Sequence, residues 1–227
     1  MDPVTPLPQL SELDDEALRA HYAPLRVPWF RLNFVATVDG AAQGPDGLSE
    51  SINNLADKRV FHMLRDIADV VIVGAGTARA EGYRPNPKPM VVVSRSGEVP
   101  PTLRQRAGVL IMATCGRAPH LEETRALLGD DHVLVLGESS PDLPMLRRDL
   151  VARGFRDLLC EGGPHLARDL LAEGVVDELC LTTVPRLIAA QHLRVTGGPP
   201  IDVGLRLHAL LEDDGTLLER WVLATRP

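Results

Sequence analysis

Apolar and polar positions alternate in recognisable periods along the 227-residue chain. Phe30, Leu32, Phe34, Ala36 and Val38 alternate with other residues, which is the period of a strand leaving through the loop that follows. In "NNLADKRVFHMLRDIA", Val60, Phe61, Leu64, Ile67 and Ala68 recur at helical spacing, and the leading asparagines can cap the helix. The apolar run "DVVIVGAGT" follows at once. Then "MVVVS" and "VLIMAT" read as strands, "HLEETRALL" as a helix, "HVLVLG" as a strand, "PMLRRDLVARG" as a helix, "FRDLLCEGG" as a strand and "PHLARDLLAEG" as a helix. Near-continuous apolar strands alternating with amphipathic helices predict an α/β domain with a mostly parallel sheet covered on both faces. Such sheets bind ligands at the carboxyl ends of their strands. The ending differs: "VDELCLTTVP" and "LHALLEDDGTLLERWVLAT" supply long strands, the last two joined across Asp214-Gly215, which predicts an antiparallel edge. Ahead of the first strand, residues 1 to 11 read as a loose proline-rich arm. "SELDDEALRAHY" then reads as a capped helix with acids in its first turn, so the arm and helix occupy 1–27 and one domain 28–227.

A hydrophobic content of 44% is enough for a sizeable core in one large α/β domain. The formal net charge is −7, and no run of Lys or Arg could track a nucleic acid or coat an anionic membrane. The start of the chain is acidic and proline-rich, unlike a secretory signal, and no apolar segment approaches the roughly 20 residues of a membrane span. A soluble, cytoplasmic protein is expected. Cys115, Cys160 and Cys180 are odd in number and show no C-x-x-C spacing, so neither a disulfide framework nor a structural zinc site is expected, and core packing is the expectation for Cys160 and Cys180 in their apolar runs. Seven histidines never fall at metal-ligand spacing, and no metal is expected.

Three stretches could carry chemistry. "NFVATVDGAAQGPDGLS" reads either as a hairpin, because Asp39-Gly40 and Asp46-Gly47 suit tight turns, or as backbone that approaches a ligand closely beside Asn33. "VVIVGAGTARAEG" begins like a dinucleotide fingerprint with Gly74 and Gly76, but Arg79 stands where the third glycine belongs. "LLCEGGPHLARDLL" places strand, Gly162-Gly163 and a helix opening with Pro164 in succession. Its helix start is either a plain tight turn or a site for a pyrophosphate. Glu161, at the end of a buried strand, needs a partner, from a substrate donor or from the backbone of its own turn.

Taken together, "NFVATVDGAA", "LRDIADVVIVGAGTARAEGYRP" and "EGGPHLARDLLAEGVVDELCLTTVPRLI" resemble the signature blocks of the reductase domain of riboflavin biosynthesis, the ribosylamino-pyrimidine 5′-phosphate reductases, over roughly residues 28 to 224. The resemblance implies a dihydrofolate-reductase-like three-layer sandwich and an NADPH-dependent oxidoreductase. The nicotinamide would lie against backbone at Val35 and Ala36. Gly76, Thr77 and Glu81 would contact the cofactor, Glu81 standing where relatives often carry an aspartate. Gly162, Gly163, Pro164, His165 and Leu166 would cradle its phosphates. Ser94 and Arg95, with Arg84 nearby, would meet the adenosine 2′-phosphate. Asn33 and Glu161 would face the substrate as catalytic positions, while Ser49 and Arg65 would hold its phosphate, Arg65 through a planar two-point fork. Periodicity by itself makes Arg65 an ordinary solvated helix charge. Asn33 replaces a lysine found in many bifunctional relatives, and no deaminase signature accompanies the domain. The resemblance also implies a homodimer paired through an apolar strand such as "VDELCLTTV". Divergence in the loop between Gly40 and Ser49 and in "RLIAAQHLRVTGGPPID" keeps two other readings open: reduction of a pterin such as dihydrofolate, and a nucleotide-binding module without catalysis.

Overall fold

The computed structural model describes residues 7–105, 108–189 and 191–224. Most of the predicted arm at 1 to 11 lies outside them. Nine strands form one sheet in the order β5-β4-β3-β2-β6-β1-β7-β9-β8. The strands are β1 (Trp29–Thr37), β2 (Val70–Gly74), β3 (Met90–Val93), β4 (Leu110–Thr114), β5 (Val133–Val135), β6 (Asp157–Cys160), β7 (Glu178–Val184), β8 (Leu205–Asp213) and β9 (Thr216–Leu223). From β5 across to β7 every pairing is parallel, and β9 and β8 add antiparallel strands beyond β7. The β8–β9 connection turns on Asp214 and Gly215, both with positive φ as a tight two-residue turn requires.

Period-two alternation sends side chains to two different cores. Phe30, Leu32, Phe34, Ile72, Val91, Leu158 and Cys160 pack with Leu146, Leu150, Ala167 and Leu170 of α5 (Leu143–Ala152) and α6 (Pro164–Ala172). On the opposite face, Val71, Leu159 and Cys180 pack with Leu18 of α1 (Asp15–His21), with Tyr22 just after it, and with Val60, Met63 and Leu64 of α2 (Leu55–Ile67). On that face too, Val73, Val92 and Met112 meet α3 (Ala75–Ala80) and α4 (Leu121–Leu128) through Ala75, Ala78 and the leucines of α4. Helices cover both faces, so the three-layer arrangement is as predicted. Each buried leucine, valine or methionine contributes roughly 1.5–3 kcal/mol. Three such side chains on α2 therefore outweigh any preference of its polar face and fix which residues look along the sheet. All three cysteines are buried, as expected of Cys160 and Cys180.

Three details differ from the sequence reading. No hairpin follows β1, since its neighbours are β6 and β7, both parallel. Asp39 instead accepts N–H groups of Ile188 and Ala189 and ties the loop to the exit of β7. The stretch "AGTARA" is a short helix, α3, capped by Gly74. Finally, "ELCLTTV" is an interior strand with β1 and β9 on either side, so it offers no free edge. The exposed edge at that end of the sheet is β8, where Leu205 and Leu207 are 41% and 42% exposed.

Candidate active site

A cleft of about 1950 Å³ opens along the carboxyl ends of the central strands. It exceeds the size that a single small ligand needs, which suits a dinucleotide with a second molecule beside it. Its construction starts from strand register. Leu32 pairs with Cys160 across β1 and β6, which makes Asn33 and Glu161 the next residues on adjacent parallel strands, both on the α2 face. Asn33 is 8% exposed and Glu161 likewise, and both line the cleft.

Helix α2 brings the rest. Asn54 caps it by accepting the Asp57 N–H, and Asp57, Phe61 and Arg65 then recur every fourth residue along the stripe that faces the cleft. Arg65 donates from Nε to Glu161 Oε1 and from Nη2 to Glu161 Oε2, each at 2.6 Å. Tyr83, in the segment after α3, donates its hydroxyl to Glu161 Oε2 at 2.8 Å. The guanidinium lies over the Phe61 ring at 4.3 Å and near the Tyr83 ring at 5.6 Å, so two aromatics brace it. Burial by itself would lower the Arg65 pKa, but the bonds and charge of Glu161 outweigh burial and raise it. Burial, then the charge of Glu161, push the Tyr83 hydroxyl well above its usual value, so Tyr83 acts as a donor. The two-point fork predicted for a phosphate is thus occupied by Glu161, leaving Nη1 of Arg65 without a protein partner among the described residues. Asp57 is 6% exposed, and burial raises its carboxyl above the ordinary range, with the Thr182 side chain and Lys58 opposing.

The glycine junction forms the other wall. Gly162 has φ +94° and is joined to Gly163 by a cis peptide; a Cβ there would come within 2.9 Å of Phe34 Cζ. At Gly163 a Cβ would meet Thr77 Oγ1 at 2.1 Å. The Gly74 N–H donates to the Gly162 carbonyl at 2.7 Å, locking the end of β2 to the turn after β6. Absence of side chains is therefore what lets the turn after β6 close onto α3. Helix α6 opens with Gly163 as its N-cap and Pro164 in its first turn, without a side-chain cap, so the N–H groups of His165 and Leu166 remain as donors. Any Cβ at Gly76 would meet nothing within 4 Å. A bare, uncapped, glycine-lined donor surface fits a dinucleotide diphosphate.

Among the remaining predicted positions, Val35, Ser49, Glu81, Ser94, Arg95 and Thr77 line the same cleft, whereas Ala36 and Gly162 lie behind its wall. The Glu81 carboxylate accepts the Ser49 N–H at 2.9 Å and so joins the loop after β1 to the end of α3. Ser94 Oγ accepts the Gly97 N–H inside its own turn, while Arg95 beside it is exposed. Tyr83 and Asp57 are the residues that sequence reasoning missed. The i, i+4, i+8 spacing of Asp57, Phe61 and Arg65 was the available signal for the second.

The model of the RibD C-terminal domain matches residues 28–218. The chain belongs to that family. Over 157 residues it is 31% identical to the 2,5-diamino-6-ribosylamino-4(3H)-pyrimidinone 5′-phosphate reductase of Archaeoglobus fulgidus, covering 60% of this chain and 70% of that one. Its fold is similar to that of a pyrimidine reductase-like protein from Corynebacterium diphtheriae, with a TM-score of 0.76 at 22% identity over 94% of this chain and all of the other. Dihydrofolate reductase from Enterococcus faecalis aligns with a TM-score of 0.51 at 14% identity, over 87% of this chain and 98% of that one. The fold is dihydrofolate-reductase-like, and membership of a reductase family with this fold implies a nicotinamide cofactor.

Proposed function

We propose that this protein uses NADPH to reduce a phosphorylated ribosylamino-pyrimidine at C1′ of its ring-opened ribose, forming the ribitylamino product. The observation that carries the reading is the adjacency of Asn33, Glu161 and Arg65 on one face of the sheet to Gly163 and the start of α6, within a single cleft. When bound, the cofactor supplies a hydride; the chain must align the two carbons and exclude water. Gly163, His165 and Leu166 would receive the diphosphate, and Arg95, with Arg84, would select the 2′-phosphate. Glu161, steadied by three donors, keeps lone-pair capacity for an N–H of the base, and the Asn33 amide can both donate and accept. Ser49 and the free Nη1 of Arg65 would hold the substrate phosphate. A homodimer fits the exposed leucines of β8, and light scattering on the purified protein tests it.

Stopped-flow oxidation of bound NADPH separates the readings. Turnover with the phosphorylated pyrimidine supports the proposal; turnover confined to dihydrofolate favours a pterin reductase, and none with either favours a binding module. Because Arg65 also holds Glu161, its phosphate role is isolated by comparing substrates. Removing the 5′-phosphate should raise KM for the native protein, and Arg65→Ala should shrink that ratio towards one.

A further inference from the structure

The cleft wall carries seven carboxylates, and their surroundings sort them. Glu50, Asp142, Asp169 and Glu173 are exposed to solvent. Glu81 accepts the Ser49 N–H, and both oxygens of Glu161 are taken by Arg65 and Tyr83. Asp57 is the remaining one: buried to 6% exposure, with an edge in the cleft and no ion pair to its carboxyl among the described residues. Its position is fixed by the cap at Asn54 and by the packing of Val60, Met63 and Leu64 below it. Thr182 stands beside it on β7, in register with Val35, two residues beyond Asn33 on the same face of β1. The charged group acting on Asp57 is Lys58 on its own helix, and Lys58 reaches instead towards Glu50 at 3.8 Å; β7 contributes the uncharged Thr182. Two carboxyl groups in one cleft, one held by a guanidinium and a phenol and one buried without an ion pair, is the arrangement that divides acceptor from acid.

Resting on the functional reading above, we infer that Asp57 is the proton donor of the reaction. C1′ of the opened sugar gains a hydride, the π pair of the C1′=N bond closes onto nitrogen, and that nitrogen takes the proton from Asp57. The products are the amine, the Asp57 carboxylate and the cofactor oxidised by two electrons; a solvent proton restores the acid. Burial favours the neutral form that this role needs.

The test joins kinetics to a titration made without cofactor. Asp57→Asn should lower kcat/KM roughly 10²–10⁴-fold, the range of general acid catalysis, with NADPH affinity and melting temperature close to native. The native rate should fall as pH rises past an Asp57 value above the usual carboxylate range, and the fall should be absent in Asp57→Asn. Thr182→Val, which removes a group that favours the charged form, should move that limb to higher pH. Infrared difference titration of the free protein should show a protonated carboxyl persisting above the normal range, missing in Asp57→Asn. A full rate in Asp57→Asn, or a native titration at the ordinary carboxylate pH, overturns the inference. A normal infrared signature with no turnover of the pyrimidine would instead sink the functional reading and the donor role with it.

Discussion

Two arginine–glutamate clusters stand at opposite ends of the same parallel strands, and they differ in what they leave unfinished. At the carboxyl ends, Arg65 and Glu161 meet in a two-point pair whose arginine side chain is 26% exposed and whose surroundings open into the cleft. At the amino ends, Arg31, Arg220 and Glu178 are sealed, with side chains 0%, 2% and 0% exposed. There Glu178 accepts from Arg220 Nε at 2.5 Å and Trp29 Nε1 at 2.7 Å, and Arg31 reaches Asp157 at 3.4 Å. Main-chain carbonyls at the end of α1 take three more guanidinium nitrogens, Arg31 Nη1 going to Tyr22 and Arg220 Nη1 and Nη2 to His21 and Ala23, while Arg31 Nε lies 3.7 Å from Glu178 without a hydrogen bond among the described residues. The enclosed cluster thus spends most of its donors on holding an N-terminal helix to the sheet and seals its unpaired Arg31 Nε and Asp157 Oδ1 away, whereas the open one turns a free nitrogen and spare lone pairs towards the cleft. Composition does not distinguish a working ion pair from a structural one; the distinction lies in unfilled valence next to open volume.

Breaking the sealed cluster should cost most. Glu178→Gln leaves two buried guanidinium groups short of charge, and an expected loss of about 3–5 kcal/mol of stability would lower the melting temperature by roughly 10 °C for a chain of this size. Calorimetry checks it, and a shift under 2 °C would mean that the cluster is solvated. At the open cluster the cost should appear in rate instead: Glu161→Gln is expected to reduce kcat/KM about 100-fold, near 3 kcal/mol, with little change in melting. If melting fell as far as in Glu178→Gln, the contrast between the two ends would fail. Tyr83→Phe removes one of three donors to Glu161 and should lower kcat/KM by about tenfold or less, roughly 1 kcal/mol.

A last effect depends on pH. Burial raises the Asp157 carboxyl to about 6 from an ordinary 3.8, with Arg31 opposing. A raised folded value means that the protonated form is favoured in the fold. Its stabilising contribution is complete below the ordinary value and is lost as pH rises through about 6. Asp157→Asn stays neutral throughout, so its melting temperature relative to the native protein should climb between pH 4 and pH 7. A difference that stays flat, or falls, would place Asp157 among the ordinary ionised carboxylates.

The order of elements was legible because nearly every strand is an apolar run bounded by turn residues, and long amphipathic helices such as α2 announce themselves by spacing. What stayed hidden has physical causes. The run "GAGTARA" carries two glycines, poor helix formers, yet packing of Ala75 and Ala78 against the sheet makes it α3. An acid in a first helical turn is what the helix dipole favours anyway, so Asp57 was marked only by sharing a helical stripe with Phe61 and Arg65. Tyr83 lies in an irregular segment where no period operates. Arg65 looked solvated because a helix pattern reports which face is polar and says nothing about what a polar side chain can reach; Glu161 lies 96 residues further on. Arg31 sits between apolar neighbours in a strand whose nine residues are all buried, and no period tells a buried arginine from an exposed one.

The clasp on α1 has a practical consequence for anyone shortening this protein. Because a residue of the last strand grips carbonyls some two hundred positions earlier, trimming the segment ahead of β1 would strip partners from the two buried guanidiniums of Arg31 and Arg220. The family match starting at residue 28 is therefore a poor guide to where the scissors should fall.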